Sequence, residues 1–454
     1  MVIIMATLVN RPGTAGSDAS ASRLSVTTLR LDGPVDLAQH IPADPSGLFL
    51  HRGDGLLARG EALVLTATGE DRFTDLSQAF QQVSAAATVD DAAGVRGSGL
   101  LALGSFSYYA ASERPSRLVI PRAVLGQADG CAFLTLVTAD GEDPARGLGA
   151  ADGRDPSALL AELFPTADVE ASAADAPAPP VPHIEVASAH TPAEYQALIS
   201  RAVDEIRAGG AEKLVISERL DARSSDPVSI PALARRLAAM YPMTWVFRVG
   251  DVIGASPEML VETEGSRLFS RVLAGTRPVA DGGELTAEDR DAFFHDPKER
   301  AEHEYAIRSV TGPLEAVTEW ISAPAEPFVL RLPGLEHLAS DVSAKLRPGL
   351  TSVDVAGLLH PSAAVSGTPR ADADRINRTI EEQDRGGYAA PVGWMSGRGD
   401  GQWAIALRMA HLDPEDPHYL VLQAGGGIVE ASDPLTEHAE ALAKTRPMMR
   451  ALRG

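Results

Sequence analysis

The chain has 454 residues, enough for about two to four domains or one large one, and needs no disulfide or metal in order to fold. Lys and Arg number 40 and Asp and Glu 62, and the net charge of −22 argues against nucleic acid or an anionic membrane as partner. The single Cys131 rules out a disulfide framework or cysteine-based metal centre within one chain. Without a signal peptide or an apolar run of about 18 residues, we expect a cytoplasmic protein.

Composition divides the chain into four parts. Residues 10–22 are small and polar, and we predict a flexible N-terminal arm over residues 1–23. Residues 24–165 predict an N-terminal subdomain of short strands that completes the fold. Residues 166–182 are rich in Ala, Pro and acids and predict a linker-like loop. Residues 183–454 hold the candidate catalytic region. The glycines at 94–105 lack a dinucleotide-binding spacing and predict turns.

The second half opens with a clear helix and a strand. Thr191 and Glu194 form a capping-box pattern, apolar residues follow at helical spacing, and two glycines end the helix. Residues 212–220 then read as a strand. Its alternation places Lys213, Val215 and Ser217 on one face.

Two predicted helices each carry a Glu-x-x-Glu pair, one over 298–317 and one opened by Ser432-Asp433-Pro434. Residues three apart share a helix face, and Lys444 falls on the face of the second pair. The four carboxylates are those of Glu299, Glu302, Glu437 and Glu440. If the helices meet, these groups provide oxygen ligands for Mg²⁺; otherwise each pair is a solvated helix face.

Four more features are candidates for chemistry. The glycines of AGGGIV (424–429) follow a predicted strand at 418–424 and form either an anion cradle or a tight turn. Small residues in HPSAAVSGTPR (360–370) leave room for a helix or a ligand ring. Lys213 and Glu258 are single charged groups that, taken alone, are most often at the surface.

Ten segments in this order resemble the chorismate-utilising enzymes: isochorismate, salicylate, anthranilate and aminodeoxychorismate synthases. The segments are EKLVIS, GASPEML, LAGTRP, KERAEHE, LEHL, HPSAAVSGTPR, GYAAPVGW, IALRMA, AGGGIVEASDP and EHAEALAK, within residues 190–450. The resemblance implies an α+β fold, a large single domain of two packed antiparallel sheets with helices outside.

The resemblance also implies a site. It implies Mg²⁺ bound by Glu302, Glu437 and Glu440, with Glu299 nearby. It implies Lys213 as the general base that activates water and Glu258 as the general acid that protonates the leaving hydroxyl. The positions that match substrate-binding ones are Gly275, Thr276, His337, Ala364, Tyr388, Arg408, Gly425, Gly427 and Lys444. Lys213 must be partly neutral and Glu258 partly protonated, and burial shifts both pKa values in those directions.

Two positions favour isochorismate synthase within this family. Ala274 stands where aminodeoxychorismate synthases resemble a nucleophilic lysine, so water is the expected nucleophile. Ala364 stands where salicylate and anthranilate synthases resemble a threonine that accompanies pyruvate loss. The expected activity is isomerisation of chorismate to isochorismate, for siderophore or menaquinone biosynthesis. We expect a monomer with no obligatory amidotransferase subunit.

Three alternatives remain open at this point. They are a salicylate synthase, an ammonia-using synthase subunit and a non-catalytic anion-binding homologue. The chain also departs from the family pattern by placing Glu218 where an arginine is usual and Arg271 where an acceptor is usual. Because an unpaired buried carboxylate is costly, we expect these two side chains to pair across neighbouring strands.

Overall fold

The structure is a computed structural model that describes residues 5–8, 23–139, 154–166, 182–279, 286–332 and 335–454. Strands β1 to β22 are Met5–Leu8, Leu24–Arg30, Gly47–His51, Asp54–Ala67, Thr88–Asp91, Leu101–Ser105, Ser116–Ala128, Cys131–Ala139, Ile184–Ser188, Lys213–Ser224, Trp245–Val249, Val252–Ser256, Met259–Glu264, Arg267–Pro278, Thr318–Ser322, Phe328–Leu332, Leu335–Leu346, Gly367–Thr368, Pro391–Ser396, Gly401–Ile405, Met409–Leu412 and Tyr419–Ile428. Helices α1 to α10 are Arg72–Ala86, Pro156–Leu163, Pro192–Arg207, Ile230–Met240, Ala287–Phe294, Pro297–Glu315, Ser352–Leu359, Arg370–Glu381, Pro434–Ala443 and Arg446–Arg453, and Leu37–His40 is a 3₁₀ turn.

The strands form one hydrogen-bonded sheet. Its main path runs β9-β10-β22-β21-β12-β11-β3-β4-β7-β6-β19-β20-β13-β14-β17, and β15 and β16 both pair with β17. The described pairs are antiparallel except for β2 with β5. The α+β prediction is confirmed, and the strands of the two predicted layers are joined into one continuous sheet.

This sheet curls until distant strands face each other. Strand β11 packs against β6 and β19 without sharing hydrogen bonds with them. The main core contains Phe247 of β11 together with Val261 of β13 and Val342 of β17. A cavity of about 430 Å³ lies between the layers, bordered by Trp245 and Phe269. The two layers expected from the resemblance are therefore opposite parts of one sheet.

Helices cover the outer face of β10. Leu214 and Ile216 pack with Tyr195 and Ile199 of α3, Ala441 of α9 and apolar side chains of α8 in a separate buried cluster. Helix α3 begins as predicted, because Thr191 and Glu194 cap each other reciprocally. These contacts hold α3, α8 and α9 beside the strand that begins with Lys213.

Most predicted elements of the second half are found. The predicted helices at 298–317 and after residue 434 are α6 and α9, and the predicted strand at 212–220 is β10, which continues to Ser224. The turn expected as one possibility for AGGGIV is wrong. Gly425, Gly426 and Gly427 lie inside β22 and pair with β10, because the predicted strand continues through them.

The N-terminal half contributes strands to the same sheet. Strand β3 pairs with β11, and β6 pairs with β19. Most of the predicted arm and nearly all of the predicted linker-like loop lie outside the described residues, although Met5–Leu8 pair with Leu63–Thr66 of β4. The domain boundaries themselves stay a prediction. In the part of the chain that is described, no helix is both long and apolar enough to cross a membrane.

Candidate active site

The site forms along one free edge of β22, at Gly425, Gly426 and Gly427, here called the glycine edge. Strand β21 pairs with β22 only as far as Gln423, whereas β10 pairs with it through Ile428. Backbone groups of alternate residues in an antiparallel strand point to the same side. The Gly425 carbonyl accepts a hydrogen bond from Lys444 Nζ at 2.9 Å, so the Gly425 and Gly427 amides also face away from β10.

Lys213 lies beside this edge, at the start of β10. Its side chain is 2% exposed, and Nζ donates a hydrogen bond to Glu302 Oε1 at 2.8 Å. A Cβ atom on Gly427 would lie 2.7 Å from Lys213 Cε and 3.3 Å from Nζ. The glycine at 427 therefore leaves the space through which the lysine reaches the site.

Glu258 lies near three cationic side chains, those of Lys213, Arg408 and Lys444, which are called the cation cluster here. It follows β12 in the short turn before β13, where its backbone N–H donates to Ser256 Oγ at 3.2 Å. Burial raises the pKa of its carboxyl to about 7, and the positive charges of Lys213, Arg408 and Lys444 act in the opposite direction. A substantial fraction of this carboxyl is consequently protonated near neutral pH.

Arg408 brings a guanidinium to this cluster from the connection between β20 and β21. Its φ of +51° is in the left-handed region, a strained conformation for a residue with a side chain. Its Nη1 donates to the Lys444 carbonyl at 3.3 Å. Burial lowers the pKa of Arg408, and Tyr388, Glu440 and Glu258 raise it.

Tyr388 and His337 border the same cluster. Burial raises the pKa of Tyr388 to about 12, against the fields of nearby arginines and a hydrogen bond from the Gly425 backbone. Burial lowers the pKa of His337 to about 4, and the charges of Arg408 and Lys444 lower it further. Both side chains are therefore neutral at physiological pH.

Carboxylates from two helices reach the glycine edge. Glu302 of α6 contacts Lys213, and a Cβ atom on Gly427 would lie 3.7 Å from its Oε1. A Cβ on Gly426 would lie 3.4 Å from Glu437 Oε2 of α9. One turn further along α9, Glu440 Oε1 lies 2.7 Å from Lys444 Nζ. The missing side chains thus leave space beside Glu302 on one face of β22, at Gly427, and beside Glu437 on the other face, at Gly426.

Oxygen donors of this kind suit Mg²⁺, which prefers a few carboxylates and keeps its remaining positions for water and substrate. Within the described ranges, no three His, Cys, Asp or Glu side chains come together as a ready-made metal centre. The carboxylate chemistry of these side chains fits the ion, whereas the ligand set of Glu302, Glu437 and Glu440 stays a prediction.

The other predicted residues lie at varying distance from this cluster. Glu299 packs over Gly275, where a Cβ would lie 3.2 Å from its Oε2. Thr276 pairs with His337 across β14 and β17, but its side chain lies outside the described part of the structure. Ala364 is half-buried in the loop between α7 and β18. The roles of these residues stay predictions.

Sequence reasoning missed a buried pair that supports β10. On the edge of β10 that faces away from β22, β18 pairs with residues 213–214 and β9 with residues 220–224. No strand pairs with the backbone groups between these two stretches in the described residues. Arg385 Nη2 donates to the Val215 carbonyl at 2.6 Å, and Glu381 Oε1 accepts from the Ser217 N–H at 2.7 Å. The two side chains also pair with each other at 2.6 Å. Their spacing of four residues, at and just beyond the end of α8, was the available signal.

His303 was missed as well. Its ring is 2% exposed and joins α6 to the sheet, with Nδ1 3.0 Å from the Ala274 carbonyl and Nε2 2.9 Å from Ser340 Oγ. Burial lowers the pKa of His303. Because it follows Glu302 directly, His303 fixes the end of α6 that points to the glycine edge.

The expected pair of Glu218 with Arg271 is wrong. Strands β10 and β14 are not neighbours, and Arg271 forms two hydrogen bonds to Asp341 of β17, at 2.6 and 2.8 Å. Glu218 accepts a hydrogen bond from Ser188 Oγ, and His438 Nε2 lies 3.8 Å from its Oε2. Each departure from the family pattern therefore has its own partner.

The fold and the cluster of Lys213, Glu258 and the cations around the glycine edge define a chorismate-binding protein. The model of the chorismate binding enzyme family matches residues 44–453, and the chain belongs to this family. A putative isochorismate synthase MenF from Mycobacterium tuberculosis is 34% identical over 293 residues, which cover 61% of this chain and 78% of that protein. The vibriobactin-specific isochorismate synthase of Vibrio cholerae is 30% identical over 57% of this chain and 66% of its own length.

A solved structure supports the fold. The menaquinone-specific isochorismate synthase MenF from Escherichia coli superposes with a TM-score of 0.73 over 95% of both chains, at 21% sequence identity. At this identity the likeness concerns the fold alone.

Proposed function

We propose that this protein is an isochorismate synthase, an isomerase that converts chorismate to isochorismate by adding water at C2 and expelling the C4 hydroxyl. The observation that carries the proposal is the approach of Lys213 and Glu258 to one cluster of cations beside the glycine edge. Membership of the chorismate binding enzymes and the names of the relatives support the same activity.

Chorismate carries two carboxylates, and the net charge of the chain is −22, so the site must supply its own positive field. Arg408 and Lys444 provide fixed cations, and Tyr388 provides a neutral hydroxyl. The Gly425 and Gly427 amides add donors at the free edge of β22. We assign these groups to the carboxylates of the substrate, and Gly275, Thr276, His337 and Ala364 to the surroundings of the ring.

The reaction needs a base and an acid on opposite faces of the ring. Lys213 acts in its neutral form and takes a proton from water as the water oxygen bonds to C2. The ring double bond shifts, the C4–O bond breaks, and Glu258 gives its proton to the departing hydroxyl, which leaves as water. Atoms balance, because one water enters and one leaves. The pKa of about 7 at Glu258 keeps its proton available for this step.

Glu302, Glu437 and Glu440, with Glu299 nearby, are the groups that we assign to Mg²⁺. When bound, the ion supplies a positive charge for a substrate carboxylate among acidic side chains. Chelation of divalent ions from the purified chain with EDTA is expected to abolish turnover, and added Mg²⁺ to restore it.

Product analysis tests the proposal against its nearest alternative. Purified protein incubated with chorismate and Mg²⁺, without ammonium or glutamine, is expected to form isochorismate and no pyruvate. Salicylate with an equal amount of pyruvate would identify a salicylate synthase, and product that requires ammonium would identify a synthase subunit. Ala364, in place of a threonine, favours the reaction that stops at isochorismate.

The setting of this activity is part of the proposal. We propose a cytoplasmic monomer that works without an amidotransferase subunit and feeds siderophore or menaquinone biosynthesis. The single Cys131 fits a reducing compartment, and its buried position fits no role in catalysis.

A further inference from the structure

Glu218 is a fully buried carboxylate in the middle of β10. It is 0% exposed and lies on the face of the strand that packs against α3 and α9. Ser188 Oγ donates a hydrogen bond to its Oε1, while Oε2 has no hydrogen-bond partner in the described residues. Burial raises the pKa of this carboxyl, and the rings of His438 and His190 act against that shift. A group that is so costly to bury needs a compensating contact.

A second contact of Glu218 comes from α9. His438 is 7% exposed, and its Nε2 lies 3.8 Å from Glu218 Oε2. Its ring centroid lies 5.0 Å from that of Tyr195 in α3, whose hydroxyl donates to the Ile216 carbonyl at 3.1 Å. His438 is thus held between a strand and a helix on the side of α9 that faces the sheet.

His438 lies in α9 between the two glutamates that are candidate metal ligands. It follows Glu437 directly and lies two residues before Glu440. Successive residues of a helix are rotated by about 100°, so one side chain fixed against the sheet determines where the others point. Glu437 lies over Gly426, and Glu440 contacts Lys444 beside Gly425. A contact that holds His438 against the sheet therefore also bears on where Glu437 and Glu440 point.

We propose that Glu218 and His438 are positioning residues that set the rotation of α9 and thereby the placement of Glu437 and Glu440 for a divalent cation. The inference rests on the proposed function, in which these carboxylates hold Mg²⁺. It also explains how the chain accommodates a carboxylate at position 218 without Arg271, which is paired with Asp341.

Binding of Mn²⁺, measured by electron paramagnetic resonance on the full-length chain, tests the inference without relying on turnover. Glu218→Gln keeps the shape of the side chain and is expected to weaken Mn²⁺ binding by about tenfold or more, as loss of a group that orients a metal ligand does. His438→Gln is expected to do the same. The double variant is expected to bind no more weakly than either single one, because both act through one contact.

Kinetic measurements are expected to show a change in the Mg²⁺ dependence of activity without a comparable change in kcat. Glu218→Gln is expected to raise the Mg²⁺ concentration needed for half-maximal activity, while kcat at saturating Mg²⁺ falls by less than about threefold. Glu185→Gln is the matched control, because Glu185 is an exposed glutamate on the neighbouring strand β9. It is expected to leave both constants unchanged.

Two outcomes would overturn the inference. One is unchanged Mn²⁺ affinity in Glu218→Gln, with or without a lower melting temperature, and the other is additive losses in the double variant. If Glu218→Gln does not fold, His438→Gln decides by the same measurements. Failure of the wild-type chain to bind Mn²⁺ would overturn the proposed metal site as well, whereas normal wild-type binding with an unaffected variant overturns this inference alone.

Discussion

Glu258 shows how burial of a single residue can raise the pKa of a carboxyl to near neutrality. Its pKa rises from 4.5 to about 7 because loss of hydration outweighs three nearby cations. The folded protein thus holds the proton more tightly than the unfolded chain does. The contribution of Glu258 to the free energy of unfolding is largest below pH 4.5 and is lost as the pH rises through about 7.

Glu258→Gln is therefore expected to gain stability relative to the wild type as the pH rises from 5 to 8, by at most about 3 kcal/mol. Urea unfolding of both proteins in EDTA at the two pH values measures this gain. The same variant is expected to lose turnover. Parallel pH dependence of the two unfolding curves would show that Glu258 is not a raised-pKa acid.

Gly427 provides a second test at this scale. The Cβ atom of Gly427→Ala would meet the flexible end of Lys213, so the fold can adjust but the amine is displaced. A displacement of this size is expected to lower kcat/KM by about a hundredfold with little change in melting temperature.

Gly426→Ala is the matched control for that change. Its Cβ would make only an ordinary contact, 3.4 Å from Glu437 Oε2, and would not approach Lys213. We expect it to keep far more activity than Gly427→Ala. Equal activity in the two variants would mean that the position of Lys213 does not limit the reaction.

The sequence could predict that a residue lies at the site where a family motif contains that residue. It could not predict a side-chain partner that comes from a distant strand. Lys213, Glu258 and Lys444 lie at one cluster because short segments of the family specify them. The partner of Arg271 was not predictable, because the pairing of β14 with β17 depends on long-range topology rather than on local pattern. The same holds for the contact of Glu218 with His438.

Part of one edge of β10 is hydrogen-bonded to side chains instead of to a neighbouring strand. Arg385 and Glu381 take up the backbone groups of Val215 and Ser217 where β18 and β9 leave a gap. Local periodicity predicted the strand, and it could not reveal that its edge is closed by the end of α8. The strand that begins with Lys213 is therefore supported by an ion pair outside the candidate site.

Arg385→Met is expected to lower the free energy of unfolding by about 3–5 kcal/mol, because it leaves Glu381 buried without its counter-charge. Replacing both residues by Met is expected to cost less than the sum of the single changes. Urea unfolding of the two single variants and the double variant measures the coupling. Additive losses would show that the two side chains support β10 independently.

At the scale of the whole molecule, the two halves of the chain share one sheet. The pairings of β3 with β11 and of β6 with β19 join the N-terminal strands to strands of the second half. Composition predicted four parts, with a linker-like loop between the two large ones, but it contains no information about which strands pair. The α+β class was predictable, whereas the continuity of the sheet was not.

This continuity leads to an expectation for a cleaved chain. A protease site introduced within residues 167–181 and then cut is expected to leave two fragments that co-elute in size-exclusion chromatography and retain the wild-type circular dichroism spectrum. Separation of the fragments under native conditions would show that the shared strands do not hold the halves together.

The most direct test of the proposed reaction follows the oxygen atom that Lys213 is proposed to activate. In water enriched in oxygen-18, the wild-type chain with chorismate and Mg²⁺ is expected to yield isochorismate that carries one label at C2, and Lys213→Ala is expected to yield none above background. Isochorismate without label at C2, or labelled product from Lys213→Ala at the wild-type rate, would contradict the account.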